Sequence, residues 1–70
     1  MEVVAQVVGT LSDMAVDDGE TVVEGQLLCQ IECMKTYFPL YAPRAGVVHF
    51  ERELGEVIGE GETVAVVGDD

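Results

Sequence analysis

An internal repeat constrains this chain more than any other feature. Shifting the sequence by 36 residues lays Gly19, Glu20, Glu24 and Gly25 onto Gly55, Glu56, Glu60 and Gly61. The same shift places Val22 on Ile58, Leu28 on Val64, Cys29 on Ala65 and Ile31 on Val67. Gly9-Thr10-Leu11 also matches Gly46-Val47-Val48, but at a shift of 37, which requires a one-residue slip. Two half-domains are implied, each unable to cover its own apolar face and related by an approximate two-fold. Lys35 falls in the connection between them. Its counterpart would be position 71, just past Asp70, so the symmetry puts the Lys35 turn at one end and the chain terminus at the other.

Within each half the pattern is β. Thirteen valines and eight glycines punctuate the sequence, and no stretch of ten carries a sustained 3.6-residue apolar stripe. The expected strands are Val3 to Val8, Thr10 to Val16, Thr21 to Val23, Leu27 to Glu32, Thr36 to Ala42, Gly46 to Glu51, Glu56 to Ile58 and Thr63 to Val67. Turn sequences lie between them, among them Asp17-Asp18-Gly19, Glu24-Gly25, Pro43-Arg44-Ala45, Leu54-Gly55 and Gly59-Glu60-Gly61. Many short strands at near-regular spacing read as a small sandwich or barrel.

Seventy residues allow one domain, residues 1–70, near the lower size limit for a self-sufficient core. Fourteen acids against three Lys/Arg give a net charge of −11, so no basic patch exists to neutralise phosphates. Nucleic acid and anionic membranes are excluded as expected partners. Apolar runs of a few residues do not span a bilayer, and no signal-peptide pattern follows Met1, so a cytoplasmic location is expected. Met1 and the absence of linker-like sequence favour a free-standing protein.

Few residues suggest chemistry. Cys29 and Cys33 lie four apart in an extended segment, about 13 Å between Cα atoms, too far for a disulfide. With only His49 as a remote companion they make no zinc pattern, and both are expected to be small semi-buried thiols. His49 beside Phe50 reads as a surface or edge residue. No acid–base or nucleophile–base spacing is present, so no enzyme activity is expected. Asp17, Asp18, Glu20, Glu56, Glu60 and Glu62 suit solvated turns, and their charge would also steer the chain toward basic surfaces on its partners. Tyr37, Phe38, Tyr41 and Phe50 are expected in the core and in sheet packing.

The central segment Ile31-Glu32-Cys33-Met34-Lys35-Thr36-Tyr37-Phe38 is different. Cys29 and Ile31 alternate inward with Gln30 and Glu32 outward, and the chain then reaches Met34 and Lys35 with no Gly or Asn beside them. Lys35 is the single lysine, and apart from the N-terminus the single primary amine. A deprotonated amine is a nucleophile, so this position suits selective acylation.

These residues resemble a family. Glu32-Cys33-Met34-Lys35-Thr36 is similar to the E-A-M-K-M attachment motif of biotinyl domains, in the small carriers called biotin/lipoyl attachment proteins. Gly25-Gln26-Leu27-Leu28, Ala42-Pro43-Arg44-Ala45-Gly46-Val47-Val48 and Gly55 to Glu62 resemble the family's flanking blocks in order. The resemblance covers essentially the whole chain. It implies an all-β, flattened barrel (a barrel-sandwich hybrid) of two four-stranded sheets with quasi-two-fold symmetry, and Lys35 at the tip of a tight hairpin.

The implied function is that of a biotin carboxyl carrier, not a catalyst. A biotin protein ligase would activate biotin as its adenylate, and the Lys35 amine would attack the acyl carbonyl to leave an amide. Glu32, Cys33, Met34 and Thr36 would flank the cofactor. The loaded carrier would serve biotin carboxylase and carboxyltransferase partners. Cys33 stands where Ala or Ser is usual, and Thr36 replaces the motif's second Met. Lipoyl carriers share the fold and keep lipoate as the alternative cofactor, although Met34 favours biotin. The Leu11-to-Glu20 stretch is too short for the thumb of some acetyl-CoA carboxylase carriers.

Two other readings stand beside this one. An unmodified β interaction module would use the same hairpin as a binding loop. An acyl carrier protein would match the size and acidity, with Ser12 as its serine. That fold is helical, though, and Leu11-Ser12-Asp13 reverses its motif.

Overall fold

The computed structural model describes residues 1–69. Eight strands follow one another: β1 (Glu2–Val4), β2 (Gly9–Met14), β3 (Thr21–Val22), β4 (Leu27–Cys33), β5 (Thr36–Tyr41), β6 (Gly46–Phe50), β7 (Val57–Ile58) and β8 (Thr63–Gly68). All eight expected strands are present. The first is shorter than the expected Val3 to Val8. A register shift follows Val3, and Ala5 then exchanges backbone bonds with Glu62 and Gly61, which draws residues 5–8 out of the ladder.

The strands form two four-stranded antiparallel sheets, β1-β8-β6-β3 and β5-β4-β2-β7. Replacing each strand by the one four later converts the first order into the second. The repeat in the sequence is therefore a two-fold in the topology, and the molecule is an all-β flattened barrel-sandwich. The sheets share no ladder among the described residues. Their edge strands β1 and β5 face each other along a seam where Val3 and Leu40, Val4 and Tyr41 are repeat counterparts.

The one-residue slip in the repeat is visible as a bulge. In β2, Thr10 pairs with Glu32 and Leu11 with Ile31, but Asp13 pairs with Gln30. Ser12 is the extra residue, and its hydroxyl donates to the Gln30 carbonyl at 3.3 Å. The counterpart strand β6 pairs with β8 from Val47 to Phe50 without interruption. One half simply carries one residue more.

Four copies of one turn join these strands. In each, residue i+3 donates its backbone N–H to the carbonyl of residue i: Glu20 to Asp17, Gln26 to Val23, Glu56 to Glu53 and Glu62 to Gly59. The i+3 side chain reaches back and accepts the N–H of residue i, at 2.9, 3.0, 3.1 and 2.9 Å respectively. The third residue is always glycine with φ between 84° and 87°, as a type II turn requires. The sequence signature is x-x-Gly-Glu/Gln. Glu20, Glu56 and Glu62 are thus turn-fastening residues as well as exposed acids.

The core repeats too. Val3 and Leu40, Ala5 and Ala42, Leu11 and Val48, Val22 and Ile58, Leu28 and Val64, Cys29 and Ala65, and Ile31 and Val67 are counterparts, and all are buried. Val16 is the one buried apolar residue outside this pairing, because its counterpart is Arg52. No polar or charged residue is buried among the described residues.

The symmetry also fixes the two ends of the body, which is 33 Å long and 17 Å wide. Gly46 lies against Gly68, and Met1 and Val67 exchange backbone bonds, so the described chain ends share one end. From Gly46 the chain runs through Gly55, which donates to the Leu11 carbonyl, to Ile58, paired with Gly9. Gly9 lies against Glu32. The β4–β5 hairpin therefore occupies the end opposite Met1 and Gly68. The terminal Asp70 lies outside the described residues.

Candidate functional site

The site is this hairpin. Cys33 pairs with Thr36, and the connection between them is two residues, Met34 and Lys35. Both have positive φ, 51° and 66°, and they are the only non-glycine residues among those described that do. Two successive left-handed residues make the type I′ turn whose twist matches a hairpin, a position that favours Asn-Gly. Met and Lys meet this geometry at a cost of about 1–2 kcal/mol each. A long ladder to β5 on one side and β2 on the other holds β4 in place and imposes it.

The turn pushes both side chains into solvent. Met34 is 92 % exposed and Lys35 is exposed. The other cations are occupied: Arg44 pairs with Asp69, and Arg52 with Glu56 at 2.9 Å and Glu62 at 3.6 Å. Lys35 makes no ion pair among the described residues. The other primary amine, at Met1, donates to the Val67 carbonyl at 2.6 Å and is partly buried. Lys35 is thus the exposed side-chain amine of the described residues, and it is held in no ion pair among them.

The expected flanking residues sit together around it. Glu32 is half-buried opposite Tyr37, Cys33 is half-buried, and Thr36 is exposed. Cys29 and Cys33 are both free thiols. Cys29 lies in the core, where burial chiefly and the Asp13 charge secondarily push its thiol up to about 11. His49 is on the surface of the inner strand β6, with Nδ1 4.0 Å from an Asp18 carboxylate that also accepts the Phe50 N–H. No group of three or more His, Cys, Asp or Glu suited to a metal is found among the described residues.

The aromatic residues depart from expectation. Phe50 is half-buried against the core, but Tyr37 and Tyr41 are 56 % and 54 % exposed and Phe38 is 37 % exposed. Tyr37 and Tyr41 lie on the sheet face turned away from the core, and Phe38 lies on the core side of an edge strand with no strand beyond it to cover its flank. Sequence pattern alone could not distinguish an edge strand from an inner one.

Fold and hairpin together define a lysine-tipped attachment domain of the barrel-sandwich type. The family model described as "Biotin-requiring enzyme" matches residues 1–67, and the chain belongs to this biotin/lipoyl attachment family. It is 40 % identical over 57 residues to an acetyl-CoA carboxylase of Dictyostelium discoideum, a match covering 81 % of this chain and 2 % of that protein. It is 31 % identical to the biotinylated protein TB7.3 homolog of Mycobacterium leprae, over 94 % of each. Among solved structures, Kluyveromyces lactis urea carboxylase superposes with a TM-score of 0.88 at 25 % identity, over 97 % of this chain and 6 % of that one. The ectoine utilization protein EutE (DoeB) of Ruegeria pomeroyi gives 0.83 at 29 % identity, over 99 % and 22 %. The chain thus spans only a small part of the large relatives it matches.

A domain of this family carries a covalently attached cofactor and is not itself a catalyst, and the Mycobacterium leprae relative is described as biotinylated. The residues present fit such a cofactor: an exposed primary amine without an ion-pair partner is what a carboxylic-acid cofactor needs for amide attachment.

Proposed function

We propose that the chain is a biotin carboxyl carrier and that Lys35 is its attachment residue. The carrying observation is the Lys35 amine standing alone at a two-residue type I′ tip, at the end of the body opposite Met1 and Gly68. A rigid body about 33 Å long with its reactive amine at one end can be tethered at the other without obstruction. When bound, biotin supplies the carboxyl-carrying chemistry, and the protein supplies presentation. Tethering raises the effective concentration of the cofactor at each site it visits.

The partners on this reading are a biotin protein ligase, which loads Lys35, and biotin carboxylase and carboxyltransferase active sites. Likeness to carboxylases supports them. The chain would act as a non-catalytic part of such a carboxylase, decarboxylase or transcarboxylase. Free thiols at Cys29 and Cys33 support a reducing, cytoplasmic setting. Met34 and the biotinylated relative of Mycobacterium leprae favour biotin over lipoate.

Intact mass after co-expression with a biotin ligase, and separately with a lipoyl ligase, tests this reading. One biotin added to the wild type and none to Lys35→Arg is the expected result. Lipoylation alone would transfer the same carrier role to lipoate. No addition by either enzyme would make the hairpin an unmodified binding loop.

A further inference from the structure

We propose that the outer face of β5 and the groove beside it form a docking site for a proline-rich segment that carries a basic residue. This reading does not depend on what is attached to Lys35. Both tyrosines of the chain project from this one strand. Phe38 and Leu40 turn toward Ile31 and Cys29 on the core side, so Tyr37, Pro39 and Tyr41 share the opposite face. At strand spacing the two tyrosines lie about 13 Å apart with Pro39 midway. Beside them the seam opens into a groove of about 450 Å³, where Pro39, Tyr41 and Pro43 face Glu2, Val4 and Gln6 across the pseudo-two-fold.

The backbone selects the kind of occupant. Counting along the ladder from the Cys33–Thr36 pair beside the turn, hydrogen-bonded and non-bonded rungs alternate, and Pro39 falls on a non-bonded rung. The nitrogen there faces away from β4 and carries no hydrogen, so a strand added along this edge would lose the ladder bond at Pro39. A polyproline II segment needs no ladder, and its rings pack between aromatic side chains.

Charge selects the rest. Glu32 stands opposite Tyr37 and Glu2 lines the groove. The bordering cations are Lys35 at the turn and Arg44, which Asp69 already engages. In a chain of net charge −11, an incoming Arg or Lys is drawn to this face and can stack on a tyrosine ring.

The chain has no Trp, so its tyrosine fluorescence and tyrosine ring NMR signals report this face directly. The whole protein would be titrated with the peptide Pro-Pro-Arg-Pro-Pro-Arg-Pro and with a control in which every Pro is Ala. We expect both tyrosine signals to move with the proline peptide alone. Tyr37→Ala and Tyr41→Ala should each weaken binding about fivefold, with the circular dichroism spectrum unchanged. Glu2→Gln, or added salt, should weaken it about two- to threefold. The proposal is overturned if the control peptide acts equally, or if millimolar proline peptide leaves the tyrosine signals unmoved. Sedimentation showing a dimer that Tyr37→Ala dissolves would also overturn it, because a second copy would then be the occupant.

Discussion

Cys33 and Thr36 form the last rung of the β4–β5 ladder, and Met34 and Lys35 alone connect them. Left-handed backbone at Met34 is imposed by this rung and not chosen by the residue. Met34 is 92 % exposed, so replacing it removes almost no packing. Met34→Asn should therefore raise stability by about 0.5–1 kcal/mol, because Asn tolerates the left-handed region. Met34→Val should lower it by about 1–2 kcal/mol, since a β-branched side chain fits that region worst. Urea denaturation of the two variants checks both signs. Equal midpoints would show that the turn carries no strain.

Gly9 is required for space. A Cβ there would overlap the Glu32 carbonyl oxygen and crowd the Ile31 side chain. Gly19 is the reverse case, with φ of 87° and nothing near its missing Cβ. Gly9→Ala should cost about 2–3 kcal/mol and displace β4 at Glu32, three residues before Lys35. Gly19→Ala should cost about 1 kcal/mol and leave the hairpin untouched. Thermal melts give the ranking, and amide chemical shifts at Met34 and Lys35 should move in the first variant alone.

Much of this was legible in the sequence. The 36-residue repeat predicted a two-fold, and the order of strands in the two sheets obeys it. The two-fold put the Lys35 turn at one end of the body, and the resemblance of Glu32 to Thr36 to the attachment motif implied a hairpin tip there. The roles of Glu20, Gln26, Glu56 and Glu62 were missed, although x-x-Gly-Glu/Gln occurs at all four turns, because turn acids are ordinarily read as solvation. The tyrosines were misplaced for a deeper reason. Aromatic residues on both faces of β5 leave alternation unable to say which face turns inward, and the strand's place at the sheet edge depends on contacts remote in sequence.

The slip between the halves makes a prediction that strand composition does not. Ser12 is the residue by which β2 exceeds β6, and the uninterrupted β6–β8 ladder shows that this architecture closes without it. Deleting Ser12 should preserve the fold at a cost of about 1–2 kcal/mol, most of it from the lost hydrogen bond and local repacking. Deleting Val48, in the strand without a bulge, reverses the inside-outside order of the rest of β6 and should prevent folding. Proton–nitrogen correlation spectra of the two deletions distinguish these outcomes.

The cysteines supply an internal probe of unfolding. Cys29 is fully buried with its thiol pushed up to about 11, so at pH 8 about one molecule in a thousand carries the thiolate even before access is considered. Cys33 is half-buried beside the turn. Iodoacetamide should label Cys33 in the folded protein and reach Cys29 only as the chain unfolds. Peptide mass mapping across a urea series should give a Cys29 curve that coincides with the loss of β structure. Early labelling of Cys29 would show that β4 opens locally.

The acid limb of stability should depend on Glu56. Its Oε1 accepts the Glu53 N–H at 3.1 Å and its Oε2 accepts from Arg52 at 2.9 Å. These bonds, the backbone one first, hold its carboxyl below the ordinary value of 4.5. A depressed carboxyl adds stability that is complete above the unfolded value and is lost as pH falls through the folded one. The contribution should therefore fade below about pH 4.5. Glutamine can replace the neutral part of this role, since Gln26 fastens the equivalent turn through its own Oε1. Glu56→Gln should fold normally at neutral pH, and its stability should fall less steeply than that of the wild type from pH 4.5 downward. Chemical denaturation at a series of pH values measures both slopes, and parallel acid limbs would remove Glu56 from the account.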